Sequence, residues 1–358
     1  MSFVRLFPAR VVRQEWARRT VSSLAESVDE SGIDLYGVSI DPAAYEESPV
    51  ALYVYRQTSG HASYVGIVCD VSVQALADGR VRGHEAVHQQ RVDALVWHHQ
   101  QTSHGTPALV SLLHRAGEVY TRILEAVQQQ PPLLDFPGPS GWQQTVWRLP
   151  VGDETSALTD ELTAADFYIA DGHHRVAAAL EEWALAGKPD DATVLCQIHP
   201  MDGLGLSSFH RRVSGPLDPE GLLGLVSADF DLLEVSRAAV PSSGSMGLYV
   251  DHRWFEVTYD GARERGVAGL DVTLLQSRIL DRVTAVASSG RVPVVDAVPA
   301  TADVDALTAR CDVDGGALFT LAPPSYEAII EVADADEVMP PKATYFEPKP
   351  CTGIFLRP

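Results

Sequence analysis

A short stretch of the chain combines an apolar strand pattern, a tight turn and three side chains that can carry positive charge. Residues 167–170 predict a buried strand, and Asp171 and Gly172 predict the turn. An alanine-rich stretch that favours a helix follows, and it opens with His173, His174 and Arg175. Cations are poorly placed at the positive end of a helix, where N–H groups attract anions. The pattern therefore predicts a phosphate site at the start of this helix.

The same turn has a second interpretation. The carboxylate of Asp171 would cap the helix while the two histidines face solvent. Capping explains Asp171 but gives no reason for three adjacent side chains that can become cationic. Neither the dinucleotide-binding pattern G-x-G-x-x-G nor the P-loop pattern G-x-x-x-x-G-K-[ST] occurs in the sequence. Both interpretations of the turn stay open at this point.

A second motif matches the zinc-peptidase pattern H-E-x-x-H. On a helix, His84 and His88 would share one face and bind zinc, and Glu85 would activate a water molecule. The neighbouring residues disfavour this arrangement, because Gly83 places His84 at a helix start and no downstream Gly-x-x-His follows. A zinc hydrolase is kept as an alternative function.

Alternating strand and helix patterns along the chain predict a mixed α/β fold. Residues 51–56 and 64–70 predict a hairpin. Residues 83–101 and 107–130 predict helices, the second with an apolar face. Residues 328–332 predict a late strand.

Composition limits the class of protein. The chain has 358 residues, of which 46% are hydrophobic, and this is enough for a large core divided over two domains. Its formal net charge of −21 repels nucleic acid and anionic membranes. The four cysteines are far apart in sequence, which favours free thiols in a reducing compartment. We therefore expect a cytoplasmic protein with neither nucleic acid nor membrane as partner, and a homodimer stays open.

Several ordered motifs resemble the bacterial and archaeal family catalogued as domain of unknown function 1015. The matching residues are 167–175, 53–57 with 66–68, 82–85, 208–213 and 339–349. The resemblance runs nearly end to end and accounts for His84 and Glu85 without zinc. Two features depart from the family: Ala343 stands where a serine is usual, and the N-terminal Ala-Pro-Pro-Tyr-Asp-like element is not evident.

The turn is also similar to that of the ParB/sulfiredoxin superfamily, whose members include free-serine kinases that use ADP or ATP. This resemblance implies a ParB/sulfiredoxin-like core with large insertions. The break at Gly215 and Pro216 predicts that this domain covers residues 1–213 and that a C-terminal α+β domain covers residues 214–358. The resemblance implies a nucleotide-dependent phosphotransferase that acts on a small hydroxy compound such as free serine. The alternative is a nucleotide-binding regulatory protein without turnover.

The resemblance also implies residue roles. Phosphoryl transfer needs stabilised charge, Mg²⁺ and an oriented hydroxyl group. Glu85 would accept the hydroxyl proton, Asp171 would hold Mg²⁺ or orient the acceptor, and His174 would assist. The residues expected to bind the phosphates of ADP or ATP are Gly172, His173, His174, Arg175, His210, Arg211 and Lys342.

The C-terminal tail is stiffened by prolines and carries Lys342 and Lys349. We expect this tail to fold back towards the Asp171 turn and to supply positive charge there. The alternative is a tail that only packs on the core.

Overall fold

The structure is a computed structural model that describes residues 3–23, 41–101, 108–238, 241–259, 261–287 and 292–357. The chain divides into two units. Unit 1 comprises Met1–Gly83, Val87–Gly205 and Pro348–Pro358, and unit 2 comprises His84–Ala86 and Leu206–Glu347. The division thus falls after Gly205 rather than at residue 213, and the last residues of the chain return to unit 1.

Strands are distributed over both units. They are β1 (Val4–Arg5), β2 (Phe7–Val12), β3 (Ser22–Ser23), β4 (Tyr45–Ser59), β5 (Ala62–Ser72), β6 (Val81–Arg82), β7 (Val110–His114), β8 (Leu134–Pro137), β9 (Gln143–Pro150), β10 (Phe167–Asp171), β11 (Thr193–Pro200), β12 (Gly205–Ser207), β13 (Phe209–Val213), β14 (Phe230–Val235), β15 (Ser245–Val250), β16 (Arg253–Tyr259), β17 (Val295–Pro299), β18 (Ala317–Leu321), β19 (Tyr345–Glu347), β20 (Cys351–Thr352) and β21 (Phe355–Leu356).

Helices alternate with these strands. The α-helices are α1 (Gln14–Thr20), α2 (Val73–Ala77), α3 (Gln89–Gln101), α4 (Glu118–Val127), α5 (Asp153–Ala164), α6 (His173–Leu185), α7 (Pro219–Val226), α8 (Asp271–Arg278), α9 (Val304–Asp314) and α10 (Tyr326–Asp334). Short 3-10 helices cover Pro42–Ala44, Pro139–Gly141, Gly266–Gly269 and Leu280–Val286. The predicted mixed α/β fold is confirmed, and the ParB/sulfiredoxin-like core stays a prediction.

Unit 1 is built on a large mixed sheet in the order β21-β2-β4-β5-β11-β7-β10-β6, with β1 pairing with β5 and β9 pairing with β4 and β8. Strand β10 lies antiparallel to β7 and parallel to β6. The register of β10 with β7 shifts between Ile169 and Asp171. Such an irregularity re-aims a side chain at a strand end, here that of Asp171.

Unit 2 contains an antiparallel sheet in the order β14-β16-β15-β18-β13-β17. Strand β12 pairs with β19 in a separate small sheet. A further isolated bridge joins Glu85 and Met339 in parallel. The short segment His84–Ala86 therefore belongs to the fold of unit 2 although its flanking residues belong to unit 1.

The structure confirms some sequence-based elements and corrects others. The hairpin is confirmed as β4 and β5. The predicted helix 107–130 is wrong: β7 comes first and α4 follows, while residue 107 itself lies outside the described residues. Every residue of β7 is buried between neighbouring strands, the polar Ser111 and His114 included, so the strand lacks the alternation of apolar and polar residues that a half-buried strand shows. The predicted strand 328–332 is wrong as well, because these residues lie in α10.

Among the described residues, no helix combines the length and the apolar character needed to cross a membrane.

Candidate functional site

The predicted strand, turn and helix are present in unit 1. Strand β10 ends at Asp171, and α6 begins at His173. Gly172 stands between them with a φ of +105°, a left-handed conformation that glycine adopts without strain. Gly172, rather than Asp171, is the N-cap residue of α6, so no side chain caps this helix. The capping interpretation of Asp171 is therefore wrong.

The carboxylate of Asp171 holds two cations. Its Oδ1 atom lies 2.5 Å from the Lys349 ammonium nitrogen, and its Oδ2 atom accepts a hydrogen bond from Nη2 of Arg175. Burial alone would raise the pKa of Asp171, but the positive charges of Lys349 and Arg175 outweigh it and hold this pKa far below its ordinary value. Asp171 is therefore ionised at every physiological pH, and it is already paired on both oxygens.

Arg175 folds back over the turn. Its Nη1 atom donates to the carbonyl oxygen of Leu109 at 2.5 Å, and its side chain is only 11% exposed. A Cβ atom at Gly172 would lie 3.0 Å from both Nε and Nη2 of Arg175, so a larger residue there would push the guanidinium by a few tenths of an ångström. The sequence predicted that this guanidinium grips phosphate directly. In the structure, the Arg175 guanidinium instead binds the Asp171 carboxylate and the Leu109 carbonyl, and it positions Asp171 within the turn.

The two histidines of the turn differ in their surroundings. His173 is buried and packs against Gly83, because a Cβ atom at Gly83 would lie 2.9 Å from its ring. His174 is half-buried, and its Nε2 atom accepts a hydrogen bond of 3.1 Å from the backbone N–H of His88. The rings of His88 and His174 stack with centroids 5.9 Å apart. Since Nε2 accepts, His174 is the neutral tautomer with its proton on Nδ1 in this arrangement.

Lys349 was expected to supply positive charge but was not among the predicted phosphate ligands, which included Lys342 instead. Its backbone carbonyl accepts a hydrogen bond of 3.2 Å from the amide of Gln57, a buried residue of β4. Strands β20 and β21 follow directly and pair with β3 and β2. The tail thus brings an ammonium group to Asp171 from 178 positions away in the sequence.

The donors at the turn do not fit the expected magnesium ion. Mg²⁺ needs oxygen ligands in an octahedral arrangement, and both oxygens of Asp171 already face cations. Within the described ranges, no group of three or more His, Cys, Asp or Glu side chains could hold a metal ion. The predicted zinc arrangement is wrong too, because residues 84–88 are not helical and α3 begins only at Gln89.

The remaining predicted phosphate ligands lie in unit 2. Arg211 is 5% exposed and donates to four backbone carbonyl groups, which belong to Phe209, His210, Pro341 and Lys342. Burial lowers the pKa of Arg211 to about 10. The Nδ1 atom of His210 accepts from the backbone N–H of Leu321 at 3.2 Å. Arg211 therefore holds the C-terminal loop of unit 2 in place, and its role as a phosphate ligand stays a prediction.

Residues of three family-like motifs, 82–85, 208–213 and 339–349, contact one another in unit 2. Met339 donates its backbone N–H to the carbonyl of His84 at 2.8 Å and bridges to Glu85. The His84 ring lies 3.1 Å from the Thr344 hydroxyl. Lys342 has a φ of +58°, and its ammonium group lies 5.3 Å above the Phe209 ring. Lys342 is thus engaged within unit 2, whereas Lys349 is the lysine that contacts Asp171.

Unit 1 contains a second arginine–aspartate pair that resembles the one at the turn. Arg357 pairs with Asp70 through Nη2 and donates through Nη1 to the Thr193 carbonyl at 2.8 Å. The second oxygen of Asp70 accepts the Thr193 hydroxyl at 2.9 Å. This pair, hereafter the Asp70 pair, has the same guanidinium contacts as the turn, but the second oxygen of its carboxylate meets a neutral hydroxyl group rather than an ammonium group.

Known proteins resemble the chain as follows. Residues 44–273 match the family described as "Protein of unknown function (DUF1015)". A free serine kinase mutant in complex with AMP is similar at 15% identity and a TM-score of 0.41, over 78% of this chain and 87% of that one. A conserved hypothetical protein from Pyrococcus furiosus is similar at 15% identity and a TM-score of 0.38, over 78% of this chain and 90% of that one. C-terminally truncated SbnI from Staphylococcus aureus is similar at 13% identity and a TM-score of 0.40, over 78% of this chain and 82% of that one. No curated protein matches the chain.

Proposed function

We propose that this chain, which belongs to the DUF1015 family, is a nucleotide-dependent phosphotransferase. The description of the family assigns no activity. The phosphate donor would be ADP or ATP, and the acceptor would be a small hydroxy compound such as free serine. The turn from Asp171 to Arg175 would hold the phosphates.

One observation carries the proposal. Strand β10 passes through a glycine with left-handed backbone conformation directly into α6, a helix of thirteen residues, and a lysine ammonium lies against the same turn. The first N–H groups of a helix have no partner within the helix, and its dipole is positive at that end. A phosphate group is the complementary ligand, because it accepts several hydrogen bonds and carries negative charge.

Each residue of the site has a proposed role. Backbone N–H groups at the start of α6 and the ammonium group of Lys349 would bind the phosphate oxygens. Arg175 and Asp171 would keep Lys349 and the turn in position. The family resemblance implies Glu85 as the base that would take the acceptor hydroxyl proton as the acceptor oxygen bonds to the terminal phosphorus. The bond from that phosphorus to the bridging oxygen would break, leaving AMP from ADP or ADP from ATP.

A second candidate is a nucleotide-binding regulatory protein without turnover. The mutual pairing of Asp171 and Arg175 favours it, because each of these groups is occupied by the other. Both candidates require nucleotide binding at the turn, and only the first requires a phosphorylated product.

Calorimetric titration of AMP, ADP and ATP tests the binding common to both. We expect Arg175→Ala to weaken nucleotide binding at least tenfold, because the turn loses the group that positions Asp171. Arg357→Ala is the matched control, since it removes the same two contacts at the Asp70 pair. Equal losses in both variants, or no binding by the wild-type protein, would overturn the proposal.

Turnover separates the two candidates. Protein, nucleotide and a panel of hydroxy amino acids that includes L-serine would be analysed for phosphorylated product by mass spectrometry. Glu85→Gln should retain nucleotide affinity and lose about 10²–10⁴-fold in rate, the range expected for a general base. Binding without product from any acceptor would leave the regulatory candidate.

A further inference from the structure

We infer that Lys349, and not a divalent cation coordinated by Asp171, is the positive charge that the protein supplies at the Asp171 turn. The nucleotide would accordingly bind as the metal-free polyanion. This inference rests on the proposed function of the same site and names the ionic form of its ligand. It starts from the mismatch between the donors at the turn and a magnesium ion.

Both oxygens of the Asp171 carboxylate face a cation. Oδ1 of Asp171 lies 2.5 Å from the nitrogen of Lys349, and Oδ2 faces Nη2 of Arg175. A metal ion at either oxygen would have to displace a cation that is four-fifths buried or more, since Lys349 is 20% and Arg175 11% exposed. The displaced charge would then need another partner in the interior.

The main chain at Lys349 is held in place. Its carbonyl is held by the buried amide of Gln57, and Pro348 and Pro350 flank it. Proline fixes φ near −65°, so the backbone on either side of the lysine has little freedom. Strand pairing of β20 with β3 begins just beyond, at Cys351. The ammonium group is therefore delivered to Asp171 by a fixed main chain rather than by a mobile tail.

Asp171 has two cationic partners. Its carboxylate carries one negative charge, and Lys349 and Arg175, which both contact it, carry two positive charges beside the N-terminal end of α6, within a chain whose net charge is −21. A lysine ammonium acts towards phosphate as a compact point charge. This is the role that a magnesium ion bound to Asp171 would otherwise fill.

Calorimetric titration of ADP with EDTA and with excess Mg²⁺ tests the inference on the wild-type protein. We expect binding to be at least as tight in EDTA as in Mg²⁺. Lys349→Met should weaken ADP binding about ten- to a hundredfold, the loss of one hydrogen bond to a charged group, and Lys349→Arg should restore most of it. Lys188→Met is the control for net charge, because Lys188 lies beyond the other end of α6 against Trp183. This variant should bind ADP as the wild type does.

The outcomes separate the two levels of the argument. Binding of ADP only when Mg²⁺ is present would overturn the inference and leave the proposed function intact. An unchanged affinity in Lys349→Met would do the same. Absence of nucleotide binding under both conditions would instead overturn the proposed function. If Lys349→Met does not fold, the EDTA titration of the wild type and the Lys349→Arg variant still decide between these outcomes.

Discussion

Two arginine–aspartate pairs in unit 1 have nearly the same local geometry but different surroundings. At both, a guanidinium binds one carboxylate oxygen and one backbone carbonyl. At Asp70, the second carboxylate oxygen accepts the neutral hydroxyl of Thr193. At Asp171, the second oxygen faces Lys349, and α6 begins two residues later.

The two pairs differ in the group that meets the second carboxylate oxygen. That oxygen of Asp70 meets a hydroxyl group, whereas that oxygen of Asp171 meets an ammonium group, so the Asp171 carboxylate has two cationic partners. Under the proposed function, a phosphate group bound at the start of α6 would bring further negative charge to these two cations.

Replacing the two aspartates gives the largest expected contrast. Asp171→Asn removes the carboxylate charge that contacts both Lys349 and Arg175, and it should lower the free energy of unfolding by about 3–5 kcal/mol. Asp70→Asn removes the carboxylate partner of Arg357, whose side chain is 31% exposed. This substitution should lower the free energy of unfolding by about 1.5–3 kcal/mol. Urea denaturation followed by tryptophan fluorescence measures both. Phosphate should stabilise wild-type protein more than Asp171→Asn if it binds at the turn. Equal costs in the two variants would remove the contrast.

The turn could be predicted from the sequence because all its signals are local. An apolar run, a Gly and an alanine-rich stretch lie within a few positions, and Asp171 and Arg175 have the i,i+4 spacing at which side chains meet on a helix. That spacing could have indicated the ion pair. The contact with Lys349 could not be predicted with the same certainty, because it joins positions 178 residues apart and depends on the pairing of β20 and β21.

The errors in the fold have physical causes of the same kind. Strand β7 is buried on both faces, so its sequence, Val-Ser-Leu-Leu-His, lacks the alternation of apolar and polar residues that identifies a half-buried strand. In α10, the apolar residues 328–330 resemble a strand when read alone. The decisive signal is upstream, where the Ser325 side chain accepts a hydrogen bond from the Ala328 N–H and caps the helix.

Acid should expose a second contrast within the sheet of unit 1. His114 is 1% exposed, neither of its ring nitrogens has a hydrogen-bond partner, and its ring stacks on Phe167 of β10. Burial lowers the pKa of His114 from 6.5 to about 4. Between these values the unfolded chain binds a proton that the folded chain does not, so stability falls as pH falls. The shift corresponds to about 3 kcal/mol over this window.

The pH windows keep this effect apart from that of Asp171. Since the pKa of Asp171 is lowered on folding, its contribution is complete above its unfolded pKa of about 4 and is lost only below it. His114→Leu should therefore flatten the stability profile between pH 6.5 and 4, and Asp171→Asn should leave that slope unchanged. Urea midpoints measured across the pH range check both expectations. An unaltered slope in His114→Leu would assign the acid sensitivity to other groups, of which buried His199 is the first to examine.

The two ends of α6 allow the smallest contrast to be measured. Gly172 and Gly187 both have positive φ, +105° and +81°, so alanine should cost about 1–2 kcal/mol at either position. At Gly187 a new Cβ would meet nothing within 4 Å, whereas at Gly172 it would meet the Arg175 guanidinium at 3.0 Å. Gly172→Ala should therefore destabilise more than Gly187→Ala, because the Arg175 guanidinium must also shift by a few tenths of an ångström. It should also weaken ADP binding in calorimetric titration, which Gly187→Ala should not. Equal ADP affinity in the two variants would mean that the position of Arg175 does not matter for the ligand, and the distinction from the Asp70 pair would then rest on Lys349 alone.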